Sequence, residues 1–313
     1  MESNDIILKT EHLSHRYSSA QWAIHDINIE VRRREIQGLL GSNGAGKSTL
    51  MNIVCGVLRQ TSGEVYINGL DIRRNPIETK RLIGFLPQQP PLRTDLTVRE
   101  YLRYSGFMRW IPSTEIRRAV DEVMEKCRIA HFADRQLRAL SGGYQQRVGI
   151  AQAIIHKPAL VILDEPTNGL DPNQITEIRN LIREIAREHT VILSTHMLTE
   201  VQAICDNVLM IEHGNLVFSG TLEHFDNYIA PDSILVRFNA PPASEVLFTR
   251  EGILRGEQLD EQTFRLYFRE EADRVIEPLV NDSVAQGWRL IQVGVEKKSL
   301  DSIFAALSKN RKA

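Results

Sequence analysis

The chain has 313 residues, enough for one large or two ordinary domains, and its 42% hydrophobic and 25% charged residues describe a globular protein with a sizeable core. A net charge of -2 and a pI near 6.5 exclude the global basicity of a protein that wraps nucleic acid. The longest apolar runs, such as "ALVIL" from Ala159, fall far short of the roughly 18–20 residues of a membrane span. The opening "MESNDIILKT" places acidic and polar residues where a signal peptide has a cationic and then an apolar region. Cys55, Cys127 and Cys205 are scattered and form no CxxC pair, which predicts free buried thiols in a reducing compartment. The expectation is a cytoplasmic protein, a location that leaves docking on a membrane partner open.

Taken in chain order, short β-rich runs alternate with helical patterns to about residue 220, an α/β arrangement. "INIEV" alternates as a half-buried strand. "EIQGLL" is a strand running into a glycine loop, and "GEVYINGLDI" carries a turn signal at Asn68-Gly69. From about 89 to 158 strand signals give way to charged helical stretches such as "STEIRRAVDEVMEKCRI", a helical insert. "ALVILDE" and "TVILS" are continuous apolar runs, the pattern of strands buried on both faces. Between them Asp171 as N-cap and Pro172 at the first position start a helix in which Ile175, Ile178, Leu181, Ile182 and Ile185 share a face. "NVLMIEHGNLVFSG" reads as strand, tight turn and strand. Residues 221–313 form a small separate α/β domain: "FRLYF" and "RLIQVGV" read as strands, and "EADRVIEPLVNDSVAQG" as a helix that Pro278 kinks or breaks. The tail "SKNRKA" reads as frayed.

The chemistry starts at "GSNGAGKST", which satisfies G-x-x-x-x-G-K-[ST] through Gly41, Gly46, Lys47 and Ser48. Backbone N–H groups from Gly41 through Ser42, Asn43, Gly44, Ala45 and Gly46 to Thr49 cradle phosphates, and the following helix offers them its N-terminal dipole. Lys47 reaches the β- and γ-phosphates and Ser48 ligates Mg²⁺. In "LVILDEP" Asp164 ends a strand where it holds the Mg²⁺ shell, and Glu165 polarises a water for attack. "LSTH" brings His196 to the same sheet edge, to contact the γ-phosphate or orient Glu165. Gln88 in "FLPQQPP" reaches Mg²⁺ and the attacking water, with Gln89 as its rival. Tyr17 is the candidate for stacking on a purine, with Trp22 as competitor.

A second glycine turn, "LSGGYQQR", also opens a helix, so Ser141, Gly142 and Gly143 make another anion site. One phosphate cradle is already complete, so this second turn is expected to grip the γ-phosphate held by another molecule. Two cassettes then sandwich two ATP molecules head to tail. A plain Ser-capped helix is the alternative that "LSGG" alone would suggest.

"GSNGAGKST", "LSGGYQQR", "LVILDEP", "GLDP" and "STH", in that order, resemble the nucleotide-binding subunit of an ABC transporter across about residues 5–220. The resemblance implies a P-loop NTPase core and ATPase activity with ATP and Mg²⁺. It makes Tyr17 the adenine-stacking aromatic, Gln88 the loop that senses a membrane partner, Glu165 the catalytic base, His196 the switch histidine and Asp171 a contact across the dimer. It implies a homodimer, or a heterodimer with a paralogue, docked on an integral membrane permease. "GIAQAIIHKPALVILDEPTNGLDPNQI" and the closing "SLDSIFAAL" are similar to ATPases of the ABC-2 exporter type, and among those to the gliding-motility-associated group. The rival is a soluble ABC ATPase acting on DNA, ribosomes or protein assembly. Such proteins typically carry a long coiled-coil insert or two cassettes, and neither pattern occurs in this sequence. One departure stands in "VRRREIQGLL", where Arg34 occupies a turn position that often holds Gly in the family.

Overall fold

The computed structural model describes residues 5–18, 21–228, 231–269 and 272–296. The chain divides into two compact units, Met1–Phe225 and Asp226–Ala313.

In the first unit, β1 (Ile6–His15) and β2 (Ile24–Arg32) pair antiparallel, and β3 (Ile36–Leu40) leads through a glycine loop to α1 (Lys47–Val54). Then follow β4 (Ser62–Ile67), β5 (Leu70–Asp71), α2 (Pro76–Arg81) and β6 (Ile83–Leu86). The stretch up to β7 (Leu160–Asp164) is helical, with α3 (Val98–Met108), α4 (Ile116–Lys126) and α5 (Gly142–Ile154). A capping box starts α3: Thr97 accepts from the Glu100 N–H, and the Glu100 carboxylate accepts from the Thr97 N–H. The unit continues through α6 (Pro172–Ala186), β8 (Thr190–Thr195), α7 (Leu198–Ile204), β9 (Asn207–Glu212), β10 (Asn215–Thr221) and α8 (Leu222–Tyr228). Phe225 on α8 is fully buried and meets Phe218 edge-on at 4.9 Å, which places the end of this unit just past the sequence expectation of 220.

Two sheets share one apolar core. An antiparallel sheet has the order β2-β1-β4-β5, and a larger one the order β10-β9-β3-β8-β7-β6, parallel from β9 to β6. Every residue of β3, β7 and β8 is buried, including the polar Gln37, Thr190, Ser194 and Thr195, as befits central parallel strands covered on both faces. Ile7, Leu13, Ile27 and Val65 of the antiparallel sheet and Leu39, Ile162 and Leu209 of the parallel one meet in that core around Leu50, Ile53 and Val54 of α1. Both expected hairpin turns form. Asn68-Gly69 (φ 52° and 77°) and His213-Gly214 (φ 48° and 77°) take the left-handed pair of a two-residue I′ connection. Arg34 also has a positive φ, 59°, the conformation for which glycine is favoured at such a turn. Its N–H donates to Thr190 Oγ1 at 2.9 Å, tying the turn to β8.

The second unit runs β11 (Ser233–Phe238), α9 (Ser244–Phe248), β12 (Ile253–Gln258), β13 (Thr263–Phe268), α10 (Ala272–Ala285) and β14 (Leu290–Val295). Its antiparallel order β12-β13-β11-β14, with helices in a β-α-β-β-α-β succession, is the ferredoxin-like split βαβ arrangement. Ile234, Val236, Phe238, Phe264, Leu266 and Phe268 project from the two central strands onto Leu279 and Trp288. The break expected at Pro278 is absent, because α10 continues on both sides of it. Val275, Leu279 and Ser283 form an inward stripe whose burial holds the helix across the missing N–H. The tail "SKNRKA" and "SLDSIFAAL" lie outside the described residues.

Candidate functional site

The parallel sheet gathers the predicted residues by register. Leu40 lies opposite Thr195, Asp164 opposite Ser194, and Leu86 opposite Leu163. The segments leaving β3, β8, β7 and β6 therefore emerge side by side, each at a carboxyl end, where open parallel sheets bind ligands. They carry the glycine loop, His196, Asp164 with Glu165, and Gln88. A cavity of about 620 Å³ opens there. Tyr17, Asn43, Gly44, Gly46, Lys47, Ser48, Thr49, Gln88, Glu165 and His196 line it.

The loop is shaped by close approach. A Cβ on Gly41 would stand 2.2 Å from the Ile211 carbonyl oxygen, and one on Gly46, at φ 112°, 2.7 Å from that of Ala23. Gly44 also has positive φ, 82°. The turn closes on itself where the Ala45 N–H donates to the Ser42 carbonyl at 3.2 Å. Lys47 is buried, and its Nζ donates to the carbonyls of Gly41 at 2.8 Å and Ser42 at 3.0 Å. Burial pulls the ammonium below the ordinary lysine range, while Glu165, Asp164 and Glu212 pull the other way. An ammonium held only by neutral carbonyls at the mouth of a glycine loop fits a polyphosphate.

Ser48 Oγ donates to Asp164 Oδ2 at 3.3 Å, and these two oxygen groups suit a hard divalent cation. Among the described residues no group of three His, Cys, Asp or Glu could enclose a metal. Magnesium is commonly held in just such an open way, by one or two side-chain oxygens together with substrate phosphates. Burial holds the Asp164 carboxyl above the usual aspartate range, and the Glu165 charge adds to this. A carboxyl with a higher pKa folded than unfolded stabilises the fold below its unfolded pKa, and this contribution is lost as pH rises through the folded value. At neutral pH the ionised Asp164 thus disfavours the nucleotide-free fold. Asp164→Asn is expected to raise the melting temperature of the nucleotide-free protein at pH 7, with the advantage fading as pH falls through the raised Asp164 value and absent below about pH 4. Thermal melts at the two pH values check this, and an unchanged melting temperature at pH 7 would contradict it.

Glu165 is nearly buried and sits at φ 48°, a left-handed conformation uncommon for a side chain of its size and a frequent mark of functional positions. Its Oε2 accepts from Gln88 Nε2 at 3.0 Å and Asn168 Nδ2 at 3.2 Å, and its Oε1 lies 2.9 Å from His196 Nδ1. Of the two glutamines, then, Gln88 is the one that meets Glu165. Tyr17 is 68% exposed and lines the cavity, with its hydroxyl 3.2 Å from Thr49 Oγ1. Trp22 instead packs against His25 and under Arg16, and is not among the residues that line the cavity.

The second glycine turn and Asp171 lie elsewhere, since none of Ser141, Gly142, Gly143 and Asp171 lines this cavity. Ser141 precedes α5 in an extended conformation and makes no side-chain capping bond; it and Gly142 are exposed. Gly143 packs against α6, where a Cβ would stand 2.7 Å from Gln174 Oε1. Asp171 caps α6, accepting from the N–H groups of Asn173 and Gln174 at 3.0 Å each.

Sequence reasoning passed over Asn168 and Glu212. Glu212 is buried and accepts from the Ser42 N–H at 3.1 Å and from the Ser42 hydroxyl, fixing the phosphate loop to β9. Its signal was available: "VLMIE", like "LVILDE", is an apolar strand that ends in an acid. Asn168 had no comparable pattern around it.

A parallel sheet whose central strand feeds a glycine-rich loop with a buried lysine, next to a strand ending in two acids, defines a P-loop nucleoside triphosphatase. Residues 24–168 match the family model described as ABC transporter. The bacitracin transport ATP-binding protein BcrA of Bacillus licheniformis is 38% identical over 220 residues, 70% of this chain and 71% of its own length. The structure of cbiO1 from Clostridium perfringens, part of the ABC transporter complex cbiONQ, superposes with a TM-score of 0.66 at 33% identity. That superposition covers 71% of this chain and 91% of the other. The dimeric ATP-binding cassette MJ0796, bound to ADP and Pi, superposes with a TM-score of 0.63 at 26% identity, covering 69% of this chain and 99% of that one. The chain belongs to the ABC transporter ATP-binding proteins, and it is an ATPase with a nucleotide-binding domain of that family. Among the described residues no helix is long and apolar enough to cross a membrane.

Proposed function

We propose that this chain is the ATP-hydrolysing subunit of an ABC-2 type exporter, peripheral on the cytoplasmic face of the membrane, and that it powers a separate permease through ATP-driven dimerisation. In this reading Lys47 turns from the carbonyls of Gly41 and Ser42 to the β- and γ-phosphates, and the loop from Gly41 to Thr49 supplies backbone N–H donors. Tyr17 stacks on the adenine. Ser48, Asp164 and Gln88 hold Mg²⁺, which neutralises phosphate charge. Glu165 takes a proton from the attacking water while His196 holds its other oxygen.

The observation that carries the dimer is the start of α5. Ser141 leaves its hydroxyl free of capping, and the exposed turn Ser141-Gly142 presents a helix N-terminus away from the cavity its own chain builds. Its anion is then the γ-phosphate on a second copy or a paralogue, with Asp171 at the same contact. All the catalytic positions retain working side chains, which favours a homodimer. Ser141→Arg is expected to abolish ATP-induced dimerisation while nucleotide binding by the monomer persists, as light scattering and a fluorescent nucleotide would report. An intact ATP dimer in this variant would contradict the composite site.

The 38% identity to a bacitracin transport ATP-binding protein supports the transport reading, in which the cargo is chosen by the permease's membrane helices. The test is to express tagged Glu165→Gln protein in its host, solubilise membranes gently with ATP and Mg²⁺, and identify what co-purifies. A multi-span membrane protein in stoichiometric amount is the expected result. Recovery of a soluble dimer alone, or of ribosomes or DNA, would overturn the permease reading and leave the nucleotide chemistry in place.

A further inference from the structure

Glu200, on α7, is 1% exposed, and among the described residues no cation lies within ion-pair distance of it. A buried carboxylate without a counter-ion costs stability unless hydrogen bonds compensate. Its two oxygens are met by two hydroxyls, one from the last residue of β8 and one from the loop after β7. Thr195 Oγ1 donates to Oε2 at 2.6 Å, and Thr167 Oγ1 donates to Oε1. Both threonines are buried. Thr195 immediately precedes His196, and Thr167 follows Glu165 by two residues.

The place of this bridge in the sheet gives it a function. The β7–β8 ladder ends at Asp164 opposite Ser194, with one more backbone bond from the Glu165 N–H to the Ser194 carbonyl at 3.0 Å. Past that point the two segments leave the sheet, β7 running into 165–168 and β8 into 196–197. Glu200 joins them through side chains. Thr195 Oγ1 also accepts from the Met197 N–H at 3.0 Å, and the Glu200 N–H donates to the Met197 carbonyl at 3.0 Å. The carboxylate, the turn carrying His196 and the loop carrying Glu165 therefore form one connected unit. Above it lies the 2.9 Å contact between His196 Nδ1 and Glu165 Oε1.

We infer that Glu200 is the positioning residue for the Glu165–His196 pair, fixing through Thr167 and Thr195 the separation at which the pair operates. The inference rests on the proposed catalytic role of Glu165. Misplacing a reacting group by about 1 Å costs on the order of a hundredfold in rate.

The test uses the full chain and measures kcat and ATP affinity separately. Thr195→Val keeps the shape of the side chain and removes one hydroxyl. It is expected to lower kcat about ten- to a hundredfold, with ATP affinity unchanged. Glu200→Gln retains an oxygen acceptor and an amide that can meet the second hydroxyl, and is expected to recover most of the turnover that Glu200→Ala loses. In a His196→Ala background Thr195→Val is expected to cause no further loss, because the pair it positions is already gone. Should Glu200→Ala fail to fold, Thr195→Val and Glu200→Gln still decide the matter. Wild-type kcat in Thr195→Val, a parallel loss of ATP affinity and kcat, or an equal fold-loss in both backgrounds would overturn the positioning role. Normal turnover by Glu165→Gln would overturn the underlying catalytic reading instead, so the two failures are distinguishable.

Discussion

Glu165→Gln is expected to bind ATP with the affinity of the parent protein and to hydrolyse it roughly 10²–10⁴-fold more slowly, the range set by loss of a general base. The substitution is nearly isosteric, so the nearly buried side chain keeps its place between Gln88, Asn168 and His196. What it loses is the carboxylate that, in the proposed mechanism, takes up the proton of the attacking water. Phosphate release measured beside equilibrium nucleotide binding separates the two properties. A variant that turns over at the parent rate would remove Glu165 as the base, whatever its geometry.

Lys47→Ala is expected to weaken ATP binding about 10- to 100-fold, as the loss of charge-assisted hydrogen bonds worth about 1.5–3 kcal/mol implies. The side chain is buried and its ammonium bonds only to carbonyls of its own loop, so truncation removes the cation proposed to face the phosphates. The loop's N–H groups remain, which is why residual binding persists. Titration with a fluorescent nucleotide checks it, and unchanged affinity would refute the phosphate cradle.

The central strands were legible because burial on both faces leaves a continuous apolar stretch in "LVIL" and "VIL", while "IQGLL" was marked by the glycine loop it feeds; every residue of all three strands is buried. The strand at Ile6–His15 was not legible. Its register shifts between Thr10 and Leu13, and His12 adopts φ 50°, so the alternation that marks a strand is reset midway. The helix around Pro278 was legible, and the break allowed for there does not occur, since the local rule against proline yielded to the packing of Val275 and Leu279. β12 and β13 pair as a local hairpin, but the order β12-β13-β11-β14 depends on β11 pairing with β13 and β14, which are distant in sequence and which no window of residues records.

At the site, loop chemistry and strand ends named most of the residues that line the cavity. The choice between Gln88 and Gln89 required geometry, because adjacent glutamines carry identical sequence signals. Glu200 was invisible for a related reason. On a short helix it reads as a solvated acid, and only the convergence of Thr167 and Thr195 makes it a buried bridge.

The most direct measurement is the solution mass of the Glu165→Gln protein with saturating ATP and Mg²⁺. The account predicts a particle of about twice the 35.7 kDa chain that returns to a monomer without nucleotide and does not form when Ser141→Arg is added. An ATP-bound monomer at every concentration would contradict it, because the uncapped turn at Ser141 would then have no second nucleotide to grip.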